Sequence, residues 1–251
     1  MKKLPLSIAI ITKNEEENLK KLLPLIAEYA LQIVIVDSYS SDRTKEIAKL
    51  YTSYFIENTW NGFVYQKNLA LSYCNYDWIL SLDADEIPDD KLWKSISEVI
   101  ENNQIGAYYL NRFTFYLGKL MNFSWQPDFQ LRFFHKSLDA KWVGDYVHEK
   151  LILNSTPKKL KGKLIHYSYK NIEHHLSKTI EYAKLGALSL SRKSKKVYKY
   201  NLIINPIFAF LKMYFLNLGF LDGWRGFIAS FSSLIGTFLK YSFYYEQSIN
   251  D

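Results

Sequence analysis

The sequence contains few of the residues that build disulfide frameworks or linkers. One of its 251 residues is cysteine, Cys74, so no disulfide can form within the chain, and a reducing compartment is expected. Ten glycines and six prolines leave no linker-like or low-complexity tract, and there is no internal repeat. Neither a Gly-rich dinucleotide fingerprint nor a P-loop occurs, so neither a dinucleotide oxidoreductase nor a P-loop NTPase is indicated.

Apolar and aromatic residues, by contrast, are abundant. Hydrophobic residues make up 48% of the chain and aromatic residues 17%, enough for one large domain or for one domain with an appendage. The net charge is +7, and residues 191–200 carry five Lys or Arg and no acid. By itself such a basic run is typical of a solvated helix face, with contact to nucleic acid or anionic lipid as alternatives.

Residues 1–105 alternate short apolar runs with polar helical stretches. The runs at 6–12, 33–37 and 78–83 are nearly continuous in Ile, Val and Leu, as in strands covered on both faces of a parallel sheet. The order of strand and helix predicts an α/β fold with a mostly parallel sheet flanked by helices.

Two helix starts are predicted in this half. Asn14 is a candidate N-cap with Glu17 three residues later, and Pro24 predicts a kink or a short break in the helix that follows. Residues 86–93 have the acidic pattern of a helix N-terminus, with Pro88 near its first turn.

Polar residues stand at the ends of the predicted strands, namely Thr12, Asp37 and Asp83. Since the carboxyl ends of parallel strands bind ligands in doubly wound folds, we expect these residues to converge on one crevice. Asp83 and Asp85 alternate at a strand end, so both carboxylates face one side and suit Mg²⁺ or Mn²⁺. Taken alone, Asp83 and Asp85 are more readily explained as a strand end before an acidic helix start, and Asp37 fits a turn residue equally well.

The second half of the chain has a different pattern. Residues 106–170 contain strand-like aromatic runs, whereas residues 171–251 become helical and then strongly apolar. The longest uncharged run, 226–239, is shorter than the roughly 18 to 20 residues of a spanning helix. A basic run beside apolar, aromatic helices is typical of an interfacial or re-entrant anchor on an anionic membrane, and a pair of core helices is the alternative.

Ordered blocks over nearly the whole chain resemble a known family. Four of them are similar to motifs of the inverting family 2 glycosyltransferases of GT-A fold: "SIAIITKNEEENL", "IVIVDSYSSDRTKEIA", "GFVYQKNLAL" and "DWILSLDADE". Four later ones resemble the branch with the lipopolysaccharide-core β-1,4-glucosyltransferases: "PDFQLRFFH", "WVGDYVHEKL", "LKGKLIHYSY" and "GFLDGWRGF". Tyr39 stands where the family often has a glycine.

The resemblance implies roles for individual residues. It implies a nucleotide-sugar-binding set made up of Thr12, Asn14, Glu15, Asp37, Lys67, Asp83 and Ala84. It implies metal binding by Asp85 and Asp83. His166 is a third candidate ligand for Mg²⁺ or Mn²⁺ on its residue type alone, and a structural histidine is the more common alternative. The implied domains are a catalytic domain at 1–170, divided at 105 into nucleotide-sugar-binding and acceptor-facing halves, and a membrane-associating region at 171–251.

An inverting transfer also needs a base on the acceptor side. The resemblance assigns this role to Glu149, and Asp128 is the competitor, better suited to binding the acceptor or the sugar. From its neighbours His148 and Lys150 alone, Glu149 would be taken as a surface glutamate.

The expected function is metal-dependent transfer of a hexose to a lipid-linked or lipopolysaccharide-core glycan at the cytoplasmic face of the plasma membrane. The expected hexose is glucose, and the expected donor is UDP-glucose. Another nucleotide-sugar and another cell-envelope or protein glycan are the nearest alternatives. A nucleotidyltransferase and a catalytically degenerate glycan-binding membrane protein are further ones. No nucleic-acid partner is expected, because the basic run abuts apolar sequence instead of a groove-reading helix.

Overall fold

The structure, a computed structural model, describes residues 3–144, 149–192 and 197–250. They group into two compact units. The first contains Met1–Arg112 and Phe129–His166, and the second contains Phe113–Asp128 and Tyr167–Asp251. The domain boundaries expected at 105 and 170 remain predictions.

Strands and helices alternate through the first third of the chain. The strands are β1 (Leu4–Thr12), β2 (Ala30–Asp37), β3 (Tyr54–Glu57), β4 (Trp78–Asp83), β5 (Glu86–Pro88), β6 (Ala107–Tyr116), β7 (Lys119–Leu120), β8 (Phe129–His135), β9 (Lys141–Val143), β10 (Lys150–Ile152), β11 (Lys158–Lys159) and β12 (Leu164–His166). The α-helices are α1 (Glu16–Ile26), α2 (Thr44–Lys49), α3 (Phe63–Ser72), α4 (Asp90–Glu101), α5 (Ile172–Arg192), α6 (Asn201–Leu211) and α7 (Trp224–Asn250).

The sheet of the first unit has the strand order β3-β2-β1-β4-β8-β6-β12-β5. Its first four strands are parallel to one another, and β8 then runs antiparallel to β4 and to β6. The expected α/β fold with a largely parallel, helix-flanked sheet is confirmed. The short strand β3 was not predicted.

Both faces of the parallel strands are covered, which explains their uninterrupted apolar sequence. In β1 the side chains of Ile8 and Ile10 belong to one buried cluster, whereas that of Ala9 belongs to another. Alternate residues of a strand point to opposite faces, so each face needs its own apolar set. The lone cysteine, Cys74, is buried in the second cluster, and this burial raises the pKa of its thiol to about 12.

The first predicted helix start is wrong in detail. Helix α1 has Glu15 at its N-cap position, and the cap contacts come from the chain after β2: Thr44 Oγ1 accepts from the Glu15 amide at 2.8 Å, and Asp42 Oδ2 accepts from the Glu16 amide at 3.1 Å. Asn14 has a φ of +55° and lies outside the helix. The helix also continues through Pro24, so of the predicted kink or short break the break is wrong and the kink stays a prediction.

The second predicted helix start is also wrong in part. Glu86 and Pro88 belong to strand β5, which pairs with β12, and the helix begins only at Asp90. Asp89 is its N-cap, since its Oδ1 accepts from the Leu92 amide at 2.7 Å. A Cβ at Gly162, whose φ is +107°, would lie 2.3 Å from the Leu92 amide nitrogen, so the chain before β12 needs glycine to pass this cap.

The second unit is mainly helical, with α5 and α6 both packed on α7. Asp222 is buried there, and its carboxylate accepts hydrogen bonds from the amides of Asn122, Phe123 and Ser124 at 3.0, 3.2 and 2.7 Å. A Cβ at Gly226 would lie 1.8 Å from the Gly219 carbonyl oxygen, so the first turn of α7 requires glycine at this position. None of the helices in the described ranges is both long and apolar enough to cross a bilayer.

Candidate active site

The ends of three neighbouring strands lie at one edge of the sheet of the first unit. The parallel register sets Thr12 opposite Asp37 and Ile11 opposite Asp83. The Thr12 hydroxyl, at the end of the middle strand, donates to Asp37 Oδ1 at 2.8 Å, so two of these residues touch directly. The structure therefore places the predicted strand-end residues at a common edge.

Asp37 organises the loop that follows β2. Besides the Thr12 contact, its carboxylate accepts from the Ser40 amide at 2.7 Å and from the Ser40 hydroxyl at 2.5 Å. The Asp37 side chain is buried and accepts from the backbone amide three residues further on. This is the contact of a turn residue, which was one of the two interpretations of Asp37 from the sequence.

This loop is tied to the loop that follows β1. Asn14 Oδ1 accepts from the Ser41 amide at 2.8 Å, and the Asn14 amide donates to the Ser40 hydroxyl at 2.7 Å. Glu15 Oε2 accepts from the Asn18 side-chain amide at 2.6 Å. Tyr39, at the position where the family often has glycine, has a φ of +54° and an exposed side chain. The two loops thus form one hydrogen-bonded rim above the strand ends.

A second part of the site is held by helix α3 and the β9–β10 hairpin. Asn68 of α3 accepts from the Trp142 amide and donates to the Trp142 carbonyl, both at 2.9 Å, as a neighbouring strand would. Glu149 immediately precedes β10, whose first residue pairs with Val143. The contact by Asn68 therefore fixes the hairpin against the helix that carries Lys67.

Lys67 joins the two parts of the site. Its ammonium lies 3.0 Å from Asp83 Oδ1 and 3.3 Å from Glu149 Oε1, and it sits over the Trp142 ring at 4.5 Å. The Lys67 side chain is only 4% exposed, which is unusual for a lysine and requires partners of opposite charge. The residue predicted to lie near the nucleotide is thus the bridge between the strand end and the predicted base.

Arg132 continues this network and was not predicted as a site residue. Its guanidinium contacts Asp83 Oδ2 at 2.5 Å and Glu86 Oε1 at 3.2 Å, and Arg112 also contacts Glu86 Oε1 at 3.2 Å. The fully buried Glu86 further accepts from the Asp83 amide at 3.0 Å. Positive and negative groups therefore alternate from Glu149 to Arg112.

Electrostatics favour an ionised Asp83 within this network. Burial opposes its charge, but the nearby Arg132 and Lys67 outweigh burial and hold the pKa of the Asp83 carboxyl well below its usual range.

The one sequence signal for Arg132 was a lone cation inside the apolar strand β8. Within the described part of the chain, Arg132 Nε and Trp142 Nε1 are buried without a hydrogen-bond partner.

The three predicted metal ligands do not form one cluster. Both oxygens of Asp83 face cations, whereas Asp85 Oδ2 lies 3.2 Å from His166 Nε2. In the ranges that the structure describes, no three His, Cys, Asp or Glu side chains are grouped closely enough to hold a metal. Asp85 fits Mg²⁺ or Mn²⁺, because such ions commonly take one or two protein carboxylates and complete their shell with substrate phosphate. The His166 imidazole suits these oxygen-preferring ions less well.

The other predicted residues have no described contact with this charge network. The Ala84 side chain is buried in the core cluster beneath the strand end. Asp128 belongs to the second unit, so it is not among the residues that the first unit brings together. His148 and residues 193–196 of the basic run lie outside the described residues.

Parallel strands with charged and polar residues at their carboxyl ends are typical of an α/β protein that binds its ligand at that edge of the sheet. The sequence model of glycosyl transferase family 2 matches residues 7–148, and the chain belongs to this family of glycosyltransferases.

Relatives with known names cover most of the chain. It is 29% identical to an uncharacterised glycosyltransferase of Rickettsia typhi, over 96% of this chain and 86% of the relative. It is 28% identical to the lipopolysaccharide core biosynthesis glycosyltransferase LpsC of Rhizobium meliloti, over 98% and 93% of the two chains. A Pyrobaculum calidifontis mannosyltransferase, solved with GDP-Man and Mn²⁺, has a TM-score of 0.52 at 14% identity, covering 95% of this chain and 88% of that chain. The last comparison shows a shared GT-A fold.

Proposed function

We propose that this glycosyltransferase moves a hexose, with inversion, from a nucleotide-sugar to a sugar of a lipid-linked or lipopolysaccharide-core glycan. UDP-glucose is the first donor to test. One observation carries the proposal: Lys67 lies within 3.3 Å of both Asp83 at the donor edge and Glu149 on the hairpin. A strand-end carboxylate and a candidate base are thereby held at one place, as a direct displacement requires.

Glu149 is the proposed base. It accepts the proton of the acceptor hydroxyl as the acceptor oxygen bonds to the anomeric carbon. The bond from that carbon to the diphosphate breaks on the opposite side, and its electron pair leaves with the nucleoside diphosphate. Attack from the side opposite the leaving group inverts the anomeric configuration. Asp128 is assigned to acceptor or sugar binding.

The rim of hydrogen-bonded loops is the proposed site for the nucleoside. Thr12, Asn14, Glu15 and Asp37 supply hydroxyl, amide and carboxylate groups there, which suit a base and ribose hydroxyls. The Asp83–Ala84 strand end lies beside them and is assigned to the ribose. Lys67 supplies positive charge close to this edge.

Asp85 and His166 are the proposed protein ligands of Mg²⁺ or Mn²⁺. When bound, such an ion neutralises charge on a departing diphosphate. Asp83 shares this function only if it exchanges one of its two cationic partners, Lys67 or Arg132, for the metal.

An acceptor carried by a lipid lies at a bilayer, so we place the reaction at the cytoplasmic face of the plasma membrane. The name of the relative LpsC supports a lipopolysaccharide-type acceptor. The enzyme would then meet an anionic membrane surface as a peripheral or monotopic protein.

A panel of UDP-, GDP- and dTDP-sugars, each incubated with the protein and Mn²⁺, tests the reaction class by release of the nucleotide. We expect release with one or a few donors and weaker release after chelation of the metal. Donor binding can be followed in parallel by calorimetry. Neither binding nor release with any donor would favour a degenerate glycan-binding protein.

A further inference from the structure

Helix α6 of the second unit exposes an apolar face. Ile203, Ile204, Ile207, Phe208 and Leu211 are each between 43% and 65% exposed. Their spacing of one, three and four residues places them along one side of a helix. In a helix at the surface of a soluble domain, this outward side is normally polar.

Helix α7 exposes a similar face. Trp224, Phe227, Phe231 and Phe238 recur at intervals of three, four and seven residues, and each is between 46% and 56% exposed. The opposite side of α7 is occupied, since Ala229, Ser230 and Ser232 are buried. Five further large apolar side chains between residues 215 and 221 are at least 42% exposed, so the two faces belong to a larger set.

We call these fourteen exposed side chains between Ile203 and Phe238 the apolar surface. Single exposed apolar residues are ordinary, but a dense group of large ones marks an interaction site. Exposed tyrosines, Tyr198 and Tyr200, precede α6. Amphipathic aromatic rings of this kind are enriched where a protein meets the boundary between water and lipid.

The segment that carries the apolar surface has mostly positive charge. Its described residues 197–245 contain four Lys or Arg and a single acid, Asp222. The Asp222 carboxylate is buried and accepts three backbone hydrogen bonds, so it presents no negative charge at the surface. Lys199 and Lys212 are exposed beside the apolar residues, with long side chains that can reach lipid phosphates while their stems lie in the apolar layer.

We propose that the apolar surface inserts into the headgroup boundary of an anionic bilayer, with α6 and the outer face of α7 parallel to the membrane plane. Apolar side chains enter the acyl region, and the flanking lysines pair with lipid phosphates. A second copy of the chain would explain the apolar residues but not the surrounding positive charge. The inference deepens the proposed function by naming the residues that would meet the membrane, and its test needs no transfer reaction.

Vesicle flotation of the purified full chain tests the insertion. We expect binding to phosphatidylcholine vesicles with 30% phosphatidylglycerol and weaker binding to pure phosphatidylcholine. The double variant Ile203→Ser/Phe208→Ser should bind the anionic vesicles at least about tenfold more weakly, because two apolar side chains no longer enter the bilayer. The matched control Leu25→Ser/Leu50→Ser removes two exposed leucines of the first unit and should bind like the parent.

A charge-reversal variant separates the two contributions and guards against misfolding of the first variant. Lys199→Glu/Lys212→Glu should lose binding to anionic vesicles and keep its weak binding to neutral ones. The inference is overturned if the parent chain binds neither vesicle type, or if both double variants bind anionic vesicles as strongly as the parent does. It is also overturned if light scattering shows a dimer that Ile203→Ser/Phe208→Ser dissociates. Vesicle binding by a protein that transfers no sugar would count against the proposed function instead.

Discussion

Phenylalanines of the two units have opposite surroundings. Phe133 and Phe134 of β8 are 0% and 1% exposed, whereas Phe208 of α6 and Phe227 of α7 are 58% and 48% exposed. The charged residues show the reverse, since Arg132 and Lys67 of the first unit are buried while Lys212 of the second is exposed. Each unit departs from the usual soluble pattern in its own way.

The two departures have different physical costs. A buried cation is tolerated only where opposite charges compensate for its lost hydration, so the first unit must keep its pairs intact. An exposed apolar face breaks no pairing within the folded unit but stays in unfavourable contact with water until a partner covers it. The comparison therefore supports the proposed division, with chemistry in the first unit and membrane attachment in the second.

The strongest test of this division is Glu149→Gln. Loss of a general base should lower turnover by about 10²- to 10⁴-fold, because the amide cannot accept the hydroxyl proton. Nucleotide release in the presence of acceptor measures turnover. Donor affinity and vesicle binding should stay at the parent level, and Glu98→Gln on the exposed side of α4 is the matched control. Near-normal turnover of the Glu149→Gln variant would show that Glu149 is not the base.

Breaking the buried network should have the next largest effect, on folding. Arg132→Met removes a cation and leaves Glu86 with Arg112 as its remaining partner, so we expect a loss of about 3 to 5 kcal/mol in unfolding free energy. Urea denaturation followed by tryptophan fluorescence measures it. Lys94→Met, at an exposed position on α4, should change stability by less than about 0.5 kcal/mol.

A second substitution sharpens this test. Adding Glu86→Gln to Arg132→Met removes the charge of the buried carboxylate that has lost one of its two cationic partners, so the double variant should recover part of the lost stability. Simple additivity of the two single changes would mean that Arg132 and Glu86 do not interact in solution.

The sequence predicted the elements whose signals are local. Continuous apolar runs identified β1, β2 and β4, because both faces of these strands are buried. The four-residue strand β3 has no fully buried residue, so its sequence carries no such run. The cap of α1 was missed because the residues that supply it are distant in sequence: Asp42 lies in the loop after β2, and Thr44 is the first residue of α2.

Charge pairing was also hard to predict, because the paired residues are far apart in the sequence. Glu86 looked like a helix-start acid, but its partners Arg112 and Arg132 lie 26 and 46 residues further along the chain. Only the sheet order brings β5, β6 and β8 to one region. The assignments of Glu149, Asp85 and the nucleoside-binding residues stay predictions until variants test them.

A smaller effect is expected in the second unit as the pH falls. His175 is buried against Tyr116, whose hydroxyl lies 2.8 Å from His175 Nδ1, and burial, with a smaller contribution from His174, lowers its pKa to about 4. The unfolded state therefore binds more protons between about pH 6.5 and pH 4, and stability should fall by about 2 to 3 kcal/mol over this window. Denaturation at several pH values, compared with His175→Gln, measures this contribution. An identical pH dependence in parent and variant would contradict it.

The smallest expected effect returns to the rim of the first unit. Tyr39 holds a φ of +54°, a conformation that costs an L-residue about 1 to 2 kcal/mol, and its exposed ring contributes little packing. Tyr39→Gly relieves this strain but gives the unfolded chain more freedom, so we expect stabilisation of at most about 1 kcal/mol. Tyr39→Val should destabilise, because a β-branched side chain fits the left-handed region worst. Thermal unfolding of the pair is the measurement, and equal melting temperatures would show that the loop relaxes to negative φ in solution. If the pair separates as expected, the strain at this position is real, and the donor affinities of the two variants then report whether the rim geometry matters for nucleotide binding.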